Sequence, residues 1–349
     1  MQRVQYNEDL DFLKGIGIVF VVLGHCFTSA IVEKYPTIEM CKLIIYTFHM
    51  PLFFIVSGYL QGLKPYKLKK LKKISLHQTR KLLLPYLVWS ILLYVFYFFI
   101  NKLSVGTIPE DITLNPFKLL LNIFTYKVVT GNVLWFVYIL FLISVVSYFI
   151  HCLISRKSVS VMFVILVAAI GFIANSYMQE DLFIIKRFAV MWIYYEIGVF
   201  IGKYVKDVSF KASWYLNLGF AALYVLLFIG FVNIGGTCGM ILNILCALTA
   251  VFIFYSLSKY NNSWAYRILS YIGKRTLYIY YLHNPYIVLI LITALTSFTE
   301  INVIFTITIS FALGCIIPLI IGEIVLNRIK GVNVIFFGKE QLNYDRTKM

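Results

Sequence analysis

Apolar runs of about twenty residues, separated by short polar or basic stretches, recur along the chain from residue 11 to residue 326. A helix needs roughly 20 mostly apolar residues to cross the hydrocarbon of a bilayer. Ten runs meet that length, at about 11–31, 43–62, 82–101, 133–153, 160–177, 188–205, 214–233, 239–257, 276–297 and 303–326. The first, Phe12 to Ile31, is longer than the roughly 7–15 residues of a signal-peptide core and no small-residue cleavage site follows it, so it reads as a retained helix. The sixth contains Glu196, and only the stretch NIGGTC separates the seventh from the eighth. The pattern predicts an all-α integral membrane protein, a bundle of about ten helices in a single unit over 1–349. Its core runs over 8–326, and 327–349 reads as a short cytoplasmic tail. No further soluble domain is expected.

Composition removes the soluble alternative. Of the 349 residues 61% are hydrophobic and 13% charged, and the mean hydropathy is +0.85. Soluble domains run at about 45–50% and about 25%, and one water-soluble core stops growing at this chain length. The formal charge of +16 would suggest nucleic acid in a soluble protein; here the excess of positive residues in cytoplasmic loops explains it, and no nucleic-acid partner is expected. With the N-terminus inside, the inner segments hold 23 Lys and Arg residues and the outer segments 7, which favours ten spans, both termini cytoplasmic and a multi-pass place in the cell membrane. The six cysteines are scattered, with no CxxC and no His/Cys cluster, so neither a metal site nor a disulfide framework is expected. The longest outer loop, about 102–132, lacks apolar periodicity and is either a cavity cover or a plain connector.

One inner loop, KPYKLKKLKKISLHQTRKLLLPY, stands apart. Leu68, Leu71 and Ile74 recur at three-residue spacing among lysines, as in a basic helix on a membrane surface. It suits contact with anionic lipid, or a dock for a polyanionic cytoplasmic ligand.

Ionisable residues inside apolar runs are the candidates for chemistry, because each costs about 2.5–3.5 kcal/mol at a helix centre. Asp11 and Lys14 are helical neighbours near the cytoplasmic end, which an interfacial ion pair also explains. His25 follows Lys14 by eleven residues, about three turns, so both side chains fall on one face roughly 16 Å apart along the axis. His49 on the second helix reaches a similar depth, beside Pro51, a kink point. His283 lies in the inner half of the ninth span, with Pro285 as a further kink and Tyr278, Tyr280 and Tyr281 nearby. Glu196 is deep, and desolvation favours its neutral form; Glu323 lies at the inner surface, solvated.

The stretches DFLKGIGIVFVVLGH, FHMPLFFIVSGYL, RKLLLPYLVW and IGKRTLYIYYLHNP, with LWFVYILF between them, resemble the acyltransferase-3 family of integral-membrane O-acyltransferases, in the branch named for fucose 4-O-acetylase. The resemblance spans about residues 8–326. Its most specific element is a basic residue, ten residues, then His, filled here by Lys14 and His25. It implies an acyl group, acetyl or another, taken from cytoplasmic acyl-CoA and passed to a hydroxyl of a cell-envelope glycan such as a bacterial exopolysaccharide. The family's basic residues before the third helix fall on Arg80 and Lys81. Some members carry a soluble domain for the final transfer; without one, the membrane core completes the reaction. The expected roles are then catalytic for His25, Lys14, Asp11 and His49, and acyl-CoA binding for Lys14, Arg80, Lys81 and His283. Imidazole serves either as base or as acyl carrier. The competing class is a multi-span exporter of a glycan or lipid-linked sugar, which also uses kinked helices and midplane charges.

Overall fold

The structure, a computed structural model, describes residues 8–102, 116–125, 133–179, 182–206, 212–261, 263–296, 302–325, 329 and 331–338. Among them there is no strand. The chain forms α1 (Glu8–Cys26), a short α2 (Ser29–Lys34) and α3 (Pro36–Gly62), which continues through Pro51. A 3-10 turn (Leu68–Lys70), α4 (Leu71–Gln78) and a π turn (Thr79–Leu83) lead without interruption into α5 (Leu84–Lys102). Then follow α6 (Pro116–Thr125), α7 (Trp135–Leu153), α8 (Lys157–Tyr177), α9 (Phe183–Phe200), α10 (Trp214–Asn233), α11 (Gly236–Ser258), α12 (Trp264–Lys274), α13 (Thr276–Leu282), α14 (Val288–Thr296), α15 (Val303–Ile320) and α16 (Val332–Phe337).

Among the described residues seven helical runs are long and apolar enough to cross a membrane: α3, α4–α5, α7, α8, α10, α11 and α15. The other three predicted spans fall on helices that depart from the pattern. α1 carries Glu8, Asp9, Asp11 and Lys14, α9 carries Lys186, Arg187 and Glu196, and the ninth span is broken at residues 283–287 into α13 and α14.

The two ends of the bundle differ. At the basic end Lys259 Nζ pairs with Asp9 at 2.6 Å, Lys274 with Glu8 at 3.3 Å, and Tyr59 donates to the Lys206 carbonyl at 2.7 Å. Glu323, expected to be solvated, is paired with Arg275 Nε at 2.5 Å. At the opposite end Lys42 Nζ donates to the Phe27 carbonyl at 2.7 Å, and Arg187 stacks over Trp135.

Three sequence expectations change. The basic loop is not a separate surface helix, because its helical turns run straight into α5; Leu68 and Leu76 are half exposed. The 102–132 segment contains α6, whose Ile123 is buried and whose Ile123 carbonyl accepts from Tyr86 Oη; the rest of that loop lies outside the described residues. The supposed tail 327–349 contributes α16 to the core: Phe337 is fully buried and Trp89 Nε1 donates to the Phe336 carbonyl at 2.7 Å.

Lipid offers no hydrophobic force between helices, so close packing must hold them. α3 meets α9 and the π turn that continues it (Ile201–Val205) backbone to backbone, through Gly58 and Gly62 on one side and Gly198 and Gly202 on the other, each pair spaced by four. A Cβ on residue 198 would lie 2.1 Å from the Ile55 carbonyl oxygen. Gly198→Val should therefore lower the detergent melting temperature by about 5 °C or more, whereas Gly219→Ala, which meets nothing within 4 Å, should leave it unchanged.

Candidate active site

Three imidazoles from three helices converge near the end of the bundle opposite the basic one. His25, one residue from the end of α1, packs its ring 5.2 Å from that of His283. His49 and Lys42 both lie within electrostatic range of His25. His49 Nδ1 lies 2.8 Å from the Ile45 carbonyl, and His283 Nδ1 lies 2.8 and 2.9 Å from the carbonyls of Ile279 and Tyr280. A ring nitrogen facing a carbonyl oxygen carries the proton, so both rings keep their lone pair on Nε2. His283 Nε2 is buried and has no hydrogen-bond partner within the protein. Among the described residues no three His, Cys, Asp or Glu side chains are placed to hold a metal ion.

His25 and His49 line a cavity of about 350 Å³. Tyr46, Trp135, Arg187 and Asn243 add polar and aromatic surface to its wall. Arg187 holds its guanidinium over Trp135 and Phe183, and its charge reaches His49 and Tyr46. Asn243 Oδ1 is buried without a hydrogen-bond partner.

A second cavity, about 300 Å³, lies at the basic end. His77, Arg80 and Lys81 line one side of it. Pro85 has no N–H to give the Lys81 carbonyl four residues back, and the backbone there takes the wider π turn that presents these two cations. Lys81 feels the like charges of Lys64 and Lys14. Neither Arg80 nor Lys81 has a carboxylate partner among the described residues.

The sequence-predicted residues thus divide. His25 and His49 share the first cavity; Arg80 and Lys81 share the second. Asp11 and Lys14 pair at 2.5 Å near the basic end, three turns from His25. His283, expected in the inner half with the donor-binding group, sits instead against His25. The span is not one regular helix: it breaks at 283–287 between α13 and α14, so counting residues along 276–297 does not fix the level of His283. A chain of contacts leads from the segment that lines the second cavity toward the imidazoles: Phe337, next to the lining Gly338, against Trp89, Trp89 stacked on Tyr281 at 5.4 Å, and His283 two residues on, beside His25.

The family model described as an acyltransferase domain matches residues 7–324. The chain belongs to the acyltransferase-3 family. Two curated relatives, both called nodulation protein NolL, come from Sinorhizobium fredii and Mesorhizobium japonicum. Each is 35% identical, over 91 and 92 residues respectively. The matched stretch is 25% of this chain in both, and 25% and 24% of the relatives, so the chain aligns with only about a quarter of each. No solved structure matches.

In this acyltransferase-family bundle one buried polar pair went unnoticed in the sequence. Glu196, expected alone and neutral, accepts from Trp192 Nε1 at 2.8 Å and meets His151 Nε2 at 2.7 Å, with both side chains of the pair almost wholly buried. The partners come from α7 and α9, 45 positions apart, and only the Trp192–Glu196 spacing of four is visible locally. The pair braces the helices that carry Trp135 and Arg187. Leaving one member of a buried pair alone costs about 3–5 kcal/mol. Thermal melting should therefore show His151→Leu and Glu196→Leu each strongly destabilising, and the double variant less so than the sum.

Proposed function

We propose that this protein is a membrane O-acyltransferase that moves an acyl group, in the first instance acetyl, from acyl-CoA at the cytoplasmic face to a hydroxyl of a cell-envelope glycan at the other face. The observation that carries the reading is the pair of cavities: one cationic, with no carboxylate among its described lining residues, one lined by His25 and His49, with His283 beside His25.

The basic end suits the phosphate-bearing part of acyl-CoA. Arg80 offers a planar fork for phosphate oxygens and Lys81 a compact charge, with Lys64 and Lys14 adding to the field. The long polar arm then runs along Trp89 and Tyr281 toward the imidazoles. Tyr281 Oη and His283 Nε2, both buried without protein partners, suit the amides of that arm. Lys14 and Asp11 act on the donor side, through charge, and not on the reacting atoms.

The acceptor enters the other cavity, where Asn243 Oδ1 and Arg187 supply hydrogen bonds to sugar hydroxyls. His25 takes the proton of the reacting hydroxyl as its oxygen bonds to the thioester carbonyl carbon. The carbon–sulfur bond breaks, the thiolate leaves, and the proton passes from His25 to sulfur. His49, with its lone pair at Nε2, accepts a hydrogen bond from a second acceptor hydroxyl and orients it.

With purified protein in lipid nanodiscs, labelled acetyl-CoA and a soluble glycan acceptor, His25→Ala should accumulate normally and form no ester. Wild-type turnover by that variant would remove His25 from the chemistry. Arg80→Ala should raise the KM for acetyl-CoA by about tenfold, the loss of one charge-assisted contact, and leave the acceptor KM unchanged; the reverse would contradict the donor assignment.

A further inference from the structure

The wall of the basic cavity facing Arg80 and Lys81 is built from residues that lie beyond the stretch matched by the family model. Ile329, Gly331, Asn333, Val334 and Gly338 line it, whereas the match ends at residue 324. We propose that the segment 331–338 is a working part of the donor site, closing the phosphate-bearing end of acyl-CoA against Arg80 and Lys81. This rests on the function proposed above and adds a region to it.

The segment is held for that position at three points. Phe337 is fully buried, with its ring 4.7 Å from Tyr278. Trp89 Nε1 donates to the Phe336 carbonyl. Gly338 takes φ +60°, and a Cβ there would lie 2.1 Å from the Lys81 carbonyl oxygen. That contact ties the segment to the backbone of one of the two lining cations, so the position of the wall and the position of Lys81 are coupled. Asn333 is buried and its Oδ1 accepts from Tyr278 Oη at 3.3 Å, which holds this side of the segment against α13.

The chemistry on both sides favours an anion. Among the described residues the lining contains a His, an Arg and a Lys and no carboxylate, and Lys64 adds positive charge, as does Lys14 although Asp11 pairs with it. Like charges gathered this way raise the free energy of the protein and lower it again when clustered phosphates enter. The pair of cations and the facing wall enclose the ligand, so the site differs from a flat basic patch that meets a lipid surface. An anionic lipid headgroup shares the phosphate chemistry, and the experiment separates the two sources.

The full chain in nanodiscs of neutral lipid is titrated with CoA and with adenosine 3′,5′-bisphosphate. Val334 lies on the wall and is only partly buried. Val334→Asp should weaken both probes by about tenfold or more, on the scale of one unfavourable charge in a partly solvated site, while Val334→Lys binds at least as tightly as the original. Ile335→Asp, on the exposed side of the same helix, should bind as wild type and controls for folding. Equal affinity in Val334→Asp and Val334→Lys, with Arg80→Ala still weakened, would overturn the role of the segment and leave the donor assignment standing. CoA binding unaffected by all of these variants, Arg80→Ala included, would overturn both. Saturable binding of a soluble short-chain phosphatidylglycerol, with no binding of CoA or the bisphosphate, would assign the cavity to a headgroup and overturn both as well.

Discussion

Hydrocarbon supplies no hydrogen bonds, so every polar group placed inside this bundle must find its partner within the protein or face a cavity. The interior obeys that constraint by sorting its ionisable residues into three kinds. Some are paired with each other, as His151 with Glu196 and Arg275 with Glu323. Some are tied to backbone carbonyls through one ring nitrogen, as His49 and His283. The rest, His25 and Arg187 foremost, open onto a cavity. Among the described residues His283 Nε2, Tyr281 Oη and Asn243 Oδ1 are buried without a hydrogen-bond partner, and Asn243 lines the imidazole cavity. Under the function proposed, a polar substrate offsets their desolvation cost.

The same constraint shapes the backbone. Where rigidity is needed, α3 and α9 cross with their carbonyls almost touching the opposing glycines. Where chemistry is needed, regular helix gives way. The ninth span breaks beside His283, and the chain widens into a π turn at Arg80 and Lys81 ahead of Pro85. α1 carries the Asp11–Lys14 pair at one end and His25, on the imidazole cavity, at the other. The residues proposed here to act on substrate thus sit at the few places where the protein departs from an ideal membrane helix.

Much of this was legible in the sequence, for physical reasons. Twenty-residue apolar runs mark the spans, and the period of the helix puts Lys14 and His25 on one face. Helix counting also placed His49 near the level of His25, which the shared cavity bears out. What hydropathy does not carry is the lateral order of the helices. The His151–Glu196 pair joins α7 to α9 and leaves no spacing to read. His283 lies in a span that breaks at 283–287, so counting along a regular helix does not show its level. α16 has six residues, too few for a periodic signal, and its burial follows from a contact between Gly338 and Lys81 that is remote in sequence.

The central claim is that one imidazole serves a thioester arriving from one face of the membrane and an alcohol arriving from the other. The direct measurement uses sealed vesicles containing the protein in a single known orientation, with labelled acetyl-CoA confined to the side of the basic end and a membrane-impermeant glycan acceptor confined to the other. Acylated acceptor should appear on the far side, together with free CoA on the near side. Ester formed only when donor and acceptor occupy the same side would contradict the account.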